Sequence, residues 1–126
     1  MIYSPDYIRD ILISVSKELI PDEYGYVQPV YPKDLAKHAL SKYPENETLY
    51  WIRRLMDEHI LIKGKQYIDE GIPQIKDLSL EAYRFINAVK EPSVWEIIKP
   101  KLLDLGINSL PMLLKHAISL STIQVI

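Results

Sequence analysis

Between positions 46 and 59, Asn46, Glu47, Tyr50, Arg53 and Arg54 recur at helical intervals, and they include the residue types that read nucleic acid. Arg and Asn match purine edges in the major groove, and Glu can accept a hydrogen bond from cytosine. With about 100° of rotation per residue, Glu47, Tyr50, Arg54 and Asp57 form an outward helical stripe, with Asn46 and Arg53 at its edge. Lys63 and Lys65 follow, and Lys33, Lys37 and Lys42 come before, all suited to phosphate contacts. The same stretch carries acid. Asp57 lies four residues after Arg53 and Glu58 four after Arg54, the spacing of intrahelical ion pairs that would neutralise both arginines.

No comparable set of groups points to catalysis or metal binding. The three histidines, His38, His59 and His116, stand on separate segments without His-x-x-x-His spacing. The absence of cysteine removes disulfides, thiolate nucleophiles and thiolate metal sites together. The acid pairs Asp22-Glu23, Asp57-Glu58 and Asp69-Glu70 are sequence neighbours, so their side chains diverge and read as solvated surface. Four glycines form no phosphate cradle, and no serine sits in a nucleophile elbow. The expectation is a protein with no enzymatic activity, no cofactor and no metal. Tyr3, Tyr7, Tyr24, Tyr26 and Tyr31 crowd the N-terminal third. Such rings can stack on unpaired bases, but they more often supply core or rim bulk with a wet hydroxyl. Trp51 and Trp95 read as structural, Trp51 as an anchor for the C-terminal helices.

A helix presenting that outward stripe must be held by its other side. Leu49, Ile52, Leu55, Met56 and Ile60 supply the inner arc of a helix from about Asn46 to His59. Before it, Ser4 can cap and Pro5 can open a first helix with Ile8, Ile11, Leu12, Val15 and Leu19 on one face, ended by Pro21. "DEYGYVQPVYP" suits a short edge strand. A second helix is expected over Lys33 to Tyr43, with Leu35, Ala36, Ala39 and Leu40 inward and Pro44 as its stop. "ILIKGKQYIDEGIPQIKDLS" reads as two extended segments around Glu70-Gly71-Ile72-Pro73, with Lys63 and Lys65 on the first strand. This is the order of a winged helix-turn-helix, and the wing would end in the acidic Asp69-Glu70.

Three further helices follow in the pattern. Ser79 caps the first, whose Ala82, Ile86 and Val89 share a face. Pro92 opens the second, with Val94, Ile98, Leu102 and Leu105 aligned and Gly106 as a C-terminal cap; Pro100 should kink or split it. Ser109 starts the third, with Leu110, Leu113, Leu114, Ala117 and Ile118, before the apolar tail "STIQVI". The fold class expected is mainly α with a small β-hairpin (α+β). A winged helix-turn-helix core over 1–78 would be followed by a C-terminal helical extension over 79–126, packed as one compact domain.

"YWIRRLMDEHILIKG", "LSLEAYRFINAVKEPSVWEIIKPKL" and "SLPMLLKHAISLS" together resemble three blocks of a family of small phage and prophage proteins, the domain-of-unknown-function family numbered twenty-five thirteen. The resemblance covers Tyr50 to the C-terminus. His59 stands where that family commonly has a helix-ending glycine, and Ala82-Tyr83 stands in place of its Gly-His pair. The resemblance implies a winged-helix-like architecture and a mobile-element origin, and it brings no catalytic residues.

Composition narrows the partners. The chain of 126 residues is long enough for a core without staples. Its net charge of −2 lacks the strong basic footprint of dedicated nucleic-acid binders. Residues 31–66 hold seven Lys/Arg against five Asp/Glu and the remainder eight against twelve, so the basic side coincides with the candidate helix. No apolar run is long enough for a bilayer span, and "MIYSPDYIRD" lacks the order of a signal peptide. The expectation is a cytoplasmic protein without membrane contact. Three uses of the scaffold stay open. One is a phage-type transcriptional regulator reading double-stranded DNA. Another binds a host or phage protein through acidic and tyrosine-rich surface. The third is an accessory protein forming a homodimer through its C-terminal helices.

Overall fold

The computed structural model describes residues 1–67, 69–106, 112, 115 and 116. Apart from Met112, Lys115 and His116, the helix expected from Ser109, the tail 121–126 and the homodimer contact assigned to them lie outside the described residues. Within them the chain is mostly helical, with five helices and a two-stranded antiparallel sheet. The helices are α1 (Pro5–Glu18), α2 (Pro32–Lys37), α3 (Glu45–Asp57), α4 (Leu80–Val89) and α5 (Pro92–Leu105); the strands are β1 (Leu61–Lys63) and β2 (Ile75–Leu78).

Helix α1 lies at the centre because its apolar stripe is covered on several sides. Ile8, Ile11, Leu12 and Val15 are completely buried, and α1 touches α3, α4, α5 and β2. Pro5 opens the helix with its preset φ. Ser4 occupies the cap position without a side-chain cap bond. The contacts between α1 and the C-terminal helices descend in order. The Tyr3 hydroxyl donates to the Leu102 carbonyl at 2.8 Å, Lys99 pairs with Asp6 at 2.6 Å, and Arg9 donates to the Val89 carbonyl at 3.0 Å. That sequence makes α1 and α5 antiparallel. It also explains why Leu105, expected inward, is exposed: Tyr3, just before α1, already meets Leu102, so the cover ends short of Leu105.

Three other expectations are corrected. Helix α2 stops at Lys37 rather than continuing to Tyr43. Residues 38–43 form turns closed by Ser41 N–H to the His38 carbonyl and Tyr43 N–H to the Leu40 carbonyl. The turns bury Leu40, lay the Tyr43 ring on Tyr7 at 3.7 Å between centroids, and leave Ala39 exposed. Helix α5 runs unbroken through Pro100. Pro100 and Glu96 both face solvent, so water can satisfy the carbonyl that lost its donor. Finally, the expected edge strand shrinks to two isolated bridges, Val27 with Pro21 and Val30 with Ile75, and only the second joins the sheet. Pro29 and Pro32 flank that second bridge and cannot donate to a longer ladder.

Other local expectations match. The Ser79 hydroxyl accepts from Ala82 N–H at 3.1 Å and starts α4, while Ala82, Ile86 and Val89 are buried. Gly106 ends α5 at φ 81°. One cluster of buried side chains extends from Tyr7 to Leu102.

The Lys99 ammonium hydrogen-bonds the Asp6 carboxylate and holds its carboxyl below the ordinary value of 3.8; the Trp95 indole N–H adds to the effect. A carboxyl depressed in the folded state stabilises fully above its unfolded value, and that contribution is lost as pH falls through it. Asp6→Asn is therefore expected to lose less stability than the wild type as pH drops below 3.8. Urea denaturation across that window checks this, and parallel curves for the two proteins would show that the pair contributes nothing.

Candidate nucleic-acid interface

Helix α3 is fixed from behind by both apolar and polar contacts. Ile52 and Leu55 are fully buried and Met56 and Ile60 nearly so, whereas Leu49 is only half-buried. The position missing from the sequence reading is Thr48, which is fully buried on the same side. Its hydroxyl donates to the Pro44 carbonyl at 3.2 Å and hydrogen-bonds the Tyr7 hydroxyl. This ties the start of α3 to α1. Burial pushes the Tyr7 and Tyr43 hydroxyls above their usual range, and at Tyr43 the hydrogen-bonded Asp10 carboxylate adds to the shift. Both hydroxyls stay protonated donors at neutral pH. Trp51 is also buried, but its ring neighbours are Tyr3 at 5.6 Å and Tyr50 at 4.9 Å. Of these two, Tyr3 links it to α5, through the hydroxyl that bonds the Leu102 carbonyl.

The end of α3 is a glycine-type cap without glycine. His59 N–H bonds the Met56 carbonyl at 3.0 Å and Ile60 N–H bonds the Leu55 carbonyl at 2.9 Å. This pairing requires a left-handed residue at position 59, and His59 has φ 58°. Buried Ile60 then carries the chain directly into β1, so this cap sets the angle between α3 and the hairpin.

The outward face differs in detail from the expected stripe. Glu45, Asn46, Tyr50, Arg53 and Asp57 are the exposed residues of α3, while Glu47 and Arg54 are half-buried at the flank. Glu47 lies 3.7 Å from the Met1 amino group. Arg53 makes no ion pair with Asp57, the partner its spacing suggested; its guanidinium donates to the Gly71 carbonyl in the hairpin loop. A carbonyl satisfies the donor without cancelling its charge. Arg54 donates to the Tyr50 hydroxyl at 3.0 Å.

The hairpin pairs Leu61 with Leu78, Ile62 with Asp77 and Lys63 with Ile75, with a shift between Ile62 and Lys63. Lys76 is the extra residue on β2. This bulge lets both Ile75 and Leu78 point inward and leaves Lys76 outward. Lys65 lies beyond β1 rather than on it, although its carbonyl still accepts from Gln74 N–H at 2.8 Å.

Lys63 meets α3 in a small crevice with Arg53, Met56, Asp57 and Pro73. Lys63 and Lys65 share the outer face of the sheet with Lys76, Tyr31 and Tyr67. Lys33 and Lys37 are exposed on α2, and Lys33 borders a separate recess with Tyr31, Asp34 and Glu70. The structure thus brings Arg53 and Lys63 together, and Lys63 with Lys65, but not Lys33 or Lys37 with either. Lys76 and Tyr67 are not singled out by sequence as interface residues, and Tyr31 appears there only among five tyrosines able to stack on bases. The alternation Lys63, Lys65, Tyr67 was a usable signal, whereas the bulge at Lys76 was not.

Among the described residues, no three His, Asp or Glu side chains group to hold a metal ion, and no helix is long and apolar enough to cross a membrane. No protein-family model, no curated protein and no solved structure matches the chain.

His59→Gly should relieve the left-handed strain and raise stability by about 0.5–1 kcal/mol, net of the greater backbone entropy of glycine. Thermal or urea denaturation checks this. A lower melting temperature would mean that the His59 side chain contributes more than its backbone costs.

Proposed function

We propose that this protein is a phage-type winged-helix regulator that binds double-stranded DNA through α3, with the β1–β2 hairpin as its wing. The observation that carries the reading is the outward face of α3. Arg53 bonds the Gly71 carbonyl instead of pairing with Asp57, and it lines one crevice with Lys63, which Asp57 shares. Asn46 and Tyr50 share the exposed face and Arg54 flanks it, a donor set suited to base edges and phosphates. The order of elements supports the same reading. The Val30 bridge to β2 gives the spatial order Val30, β2, β1, as expected for the small sheet of a winged helix.

The acidic tip argues for a wing that touches DNA along its flank, through Lys63 and Lys65, and not through Asp69-Glu70. A second reading is favoured by one observation. Asp22 accepts from the backbone N–H of both Tyr24 and Tyr26 at 2.9 Å and holds a turn on which both rings are more than 70% exposed. Two fixed, solvent-facing tyrosines suit a protein partner.

Fluorescence anisotropy with duplex DNA from around its own coding sequence tests the first reading. Binding should weaken steeply with salt, with a slope of about −0.9 per phosphate neutralised. Arg54→Ala should cost about 1–3 kcal/mol if the side chain reads a base. Absence of binding at low salt would overturn the DNA reading. A partner captured by wild type and lost on Tyr24→Ala with Tyr26→Ala would establish the second.

A further inference from the structure

We infer that the outer face of the small sheet is a second binding site, which takes an unpaired DNA strand by stacking bases on Tyr31 and Tyr67 and pairing phosphates with Lys63, Lys65 and Lys76. These five residues line one groove of about 620 Å³. The volume falls within the roughly 300–1,000 Å³ of small-ligand sites. Tyr31 is 40% and Tyr67 51% exposed, so each offers ring surface that the fold has not used.

The groove is built by the backbone features already described. The bulge turns Lys76 outward beside the Ile75 position that pairs with Lys63. The ladder continues past the strands through Gly64 N–H to the Gln74 carbonyl and Gln74 N–H to the Lys65 carbonyl, keeping Lys65 in line with Lys63. Gly64 forms part of the floor, where an added Cβ would stand 3.3 Å from the Gln74 carbonyl oxygen and 3.6 Å from the Lys76 Cβ. Tyr67 then begins a turn closed by Glu70 N–H to the Tyr67 carbonyl at 3.1 Å.

Charge selects the occupant. Three lysines line the groove, and no carboxylate does among the described residues. Asp34 and Glu70 border the separate recess beyond Tyr31. Asp77, next to Lys76, accepts from the Tyr83 hydroxyl and the Leu78 N–H. An acidic peptide would use the lysines and leave the two rings without a role. A base stacked within a duplex has no free face for Tyr31 or Tyr67, whereas an unpaired strand presents base faces and phosphates together. The choice of DNA rests on the reading of α3 above. Lys63 borders both this groove and the Arg53 crevice, so a strand leaving a duplex held on α3 enters the groove there.

The test uses the full chain and a labelled thymidine oligonucleotide about twelve nucleotides long, within the usual site size of such grooves. Wild type should bind it with a salt slope near −2, from about −0.7 for each of three phosphates. Lys65→Ala should reduce that slope by about 0.7. Tyr67→Ala, and separately Tyr31→Ala, should weaken binding about tenfold, while Tyr67→Phe should leave it unchanged because stacking needs the ring and not the hydroxyl. Arg54→Ala should weaken duplex binding and spare the oligonucleotide. Duplex binding without oligonucleotide binding overturns the inference and leaves the reading of α3 standing. Tyr67→Ala and Tyr31→Ala both binding like wild type would also overturn it. So would equal competition by a glutamate peptide, or tighter binding of the matching uridine RNA.

Discussion

The stripe Ile8, Ile11, Leu12 and Val15 on α1 has no solvent exposure, because α3, α4, α5 and β2 all close over it. Each of those elements is too short to be a stable helix or sheet in isolation, so their order depends on the surface α1 offers. The polar contacts of α1 then set position along that surface. The Tyr7–Thr48 hydroxyl pair fixes the start of α3, and Asp6–Lys99 and Arg9–Val89 align the C-terminal helices. Apolar burial supplies the driving force without direction, and these few bonds supply the register.

Two backbone devices carry that order to the surface. The left-handed His59 cap turns the chain from α3 into β1 without a loop. The bulge in the hairpin then allows Ile75 and Leu78 to point into the core while Lys76 points out. Arg53 completes the arrangement by holding the hairpin loop through the Gly71 carbonyl. The face proposed to meet DNA is consequently supported by packing beneath it and by a bond across it.

Much of this was legible in the residues. Proline and serine marked the starts of α1, α4 and α5, since a fixed φ and a capping hydroxyl act within a single turn. Gly106 and the glycine-like place of His59 marked ends for the same local reason. Local pattern misleads where distant groups compete with local ones. Residues 38–43 have a helical pattern but leave the helix to bury Leu40 and stack Tyr43 on Tyr7. Arg53 has an acid four residues on and instead reaches a carbonyl eighteen residues away.

The sequence by itself determined the helical and hairpin segments, the inner arc of α3 and the absence of thiol chemistry, because periodicity, capping and composition are properties of neighbouring residues. Only the tertiary structure decided which side of α3 faces outward in full, that Thr48 is buried, and that Tyr31, Tyr67 and three lysines share one groove. Those outcomes depend on pairing Val30 with Ile75 across forty-five residues and on a one-residue bulge. A shift of one residue in a strand sends every side chain to the other face. Local patterns constrain that register weakly, and the packing of the sheet on α1 selects it.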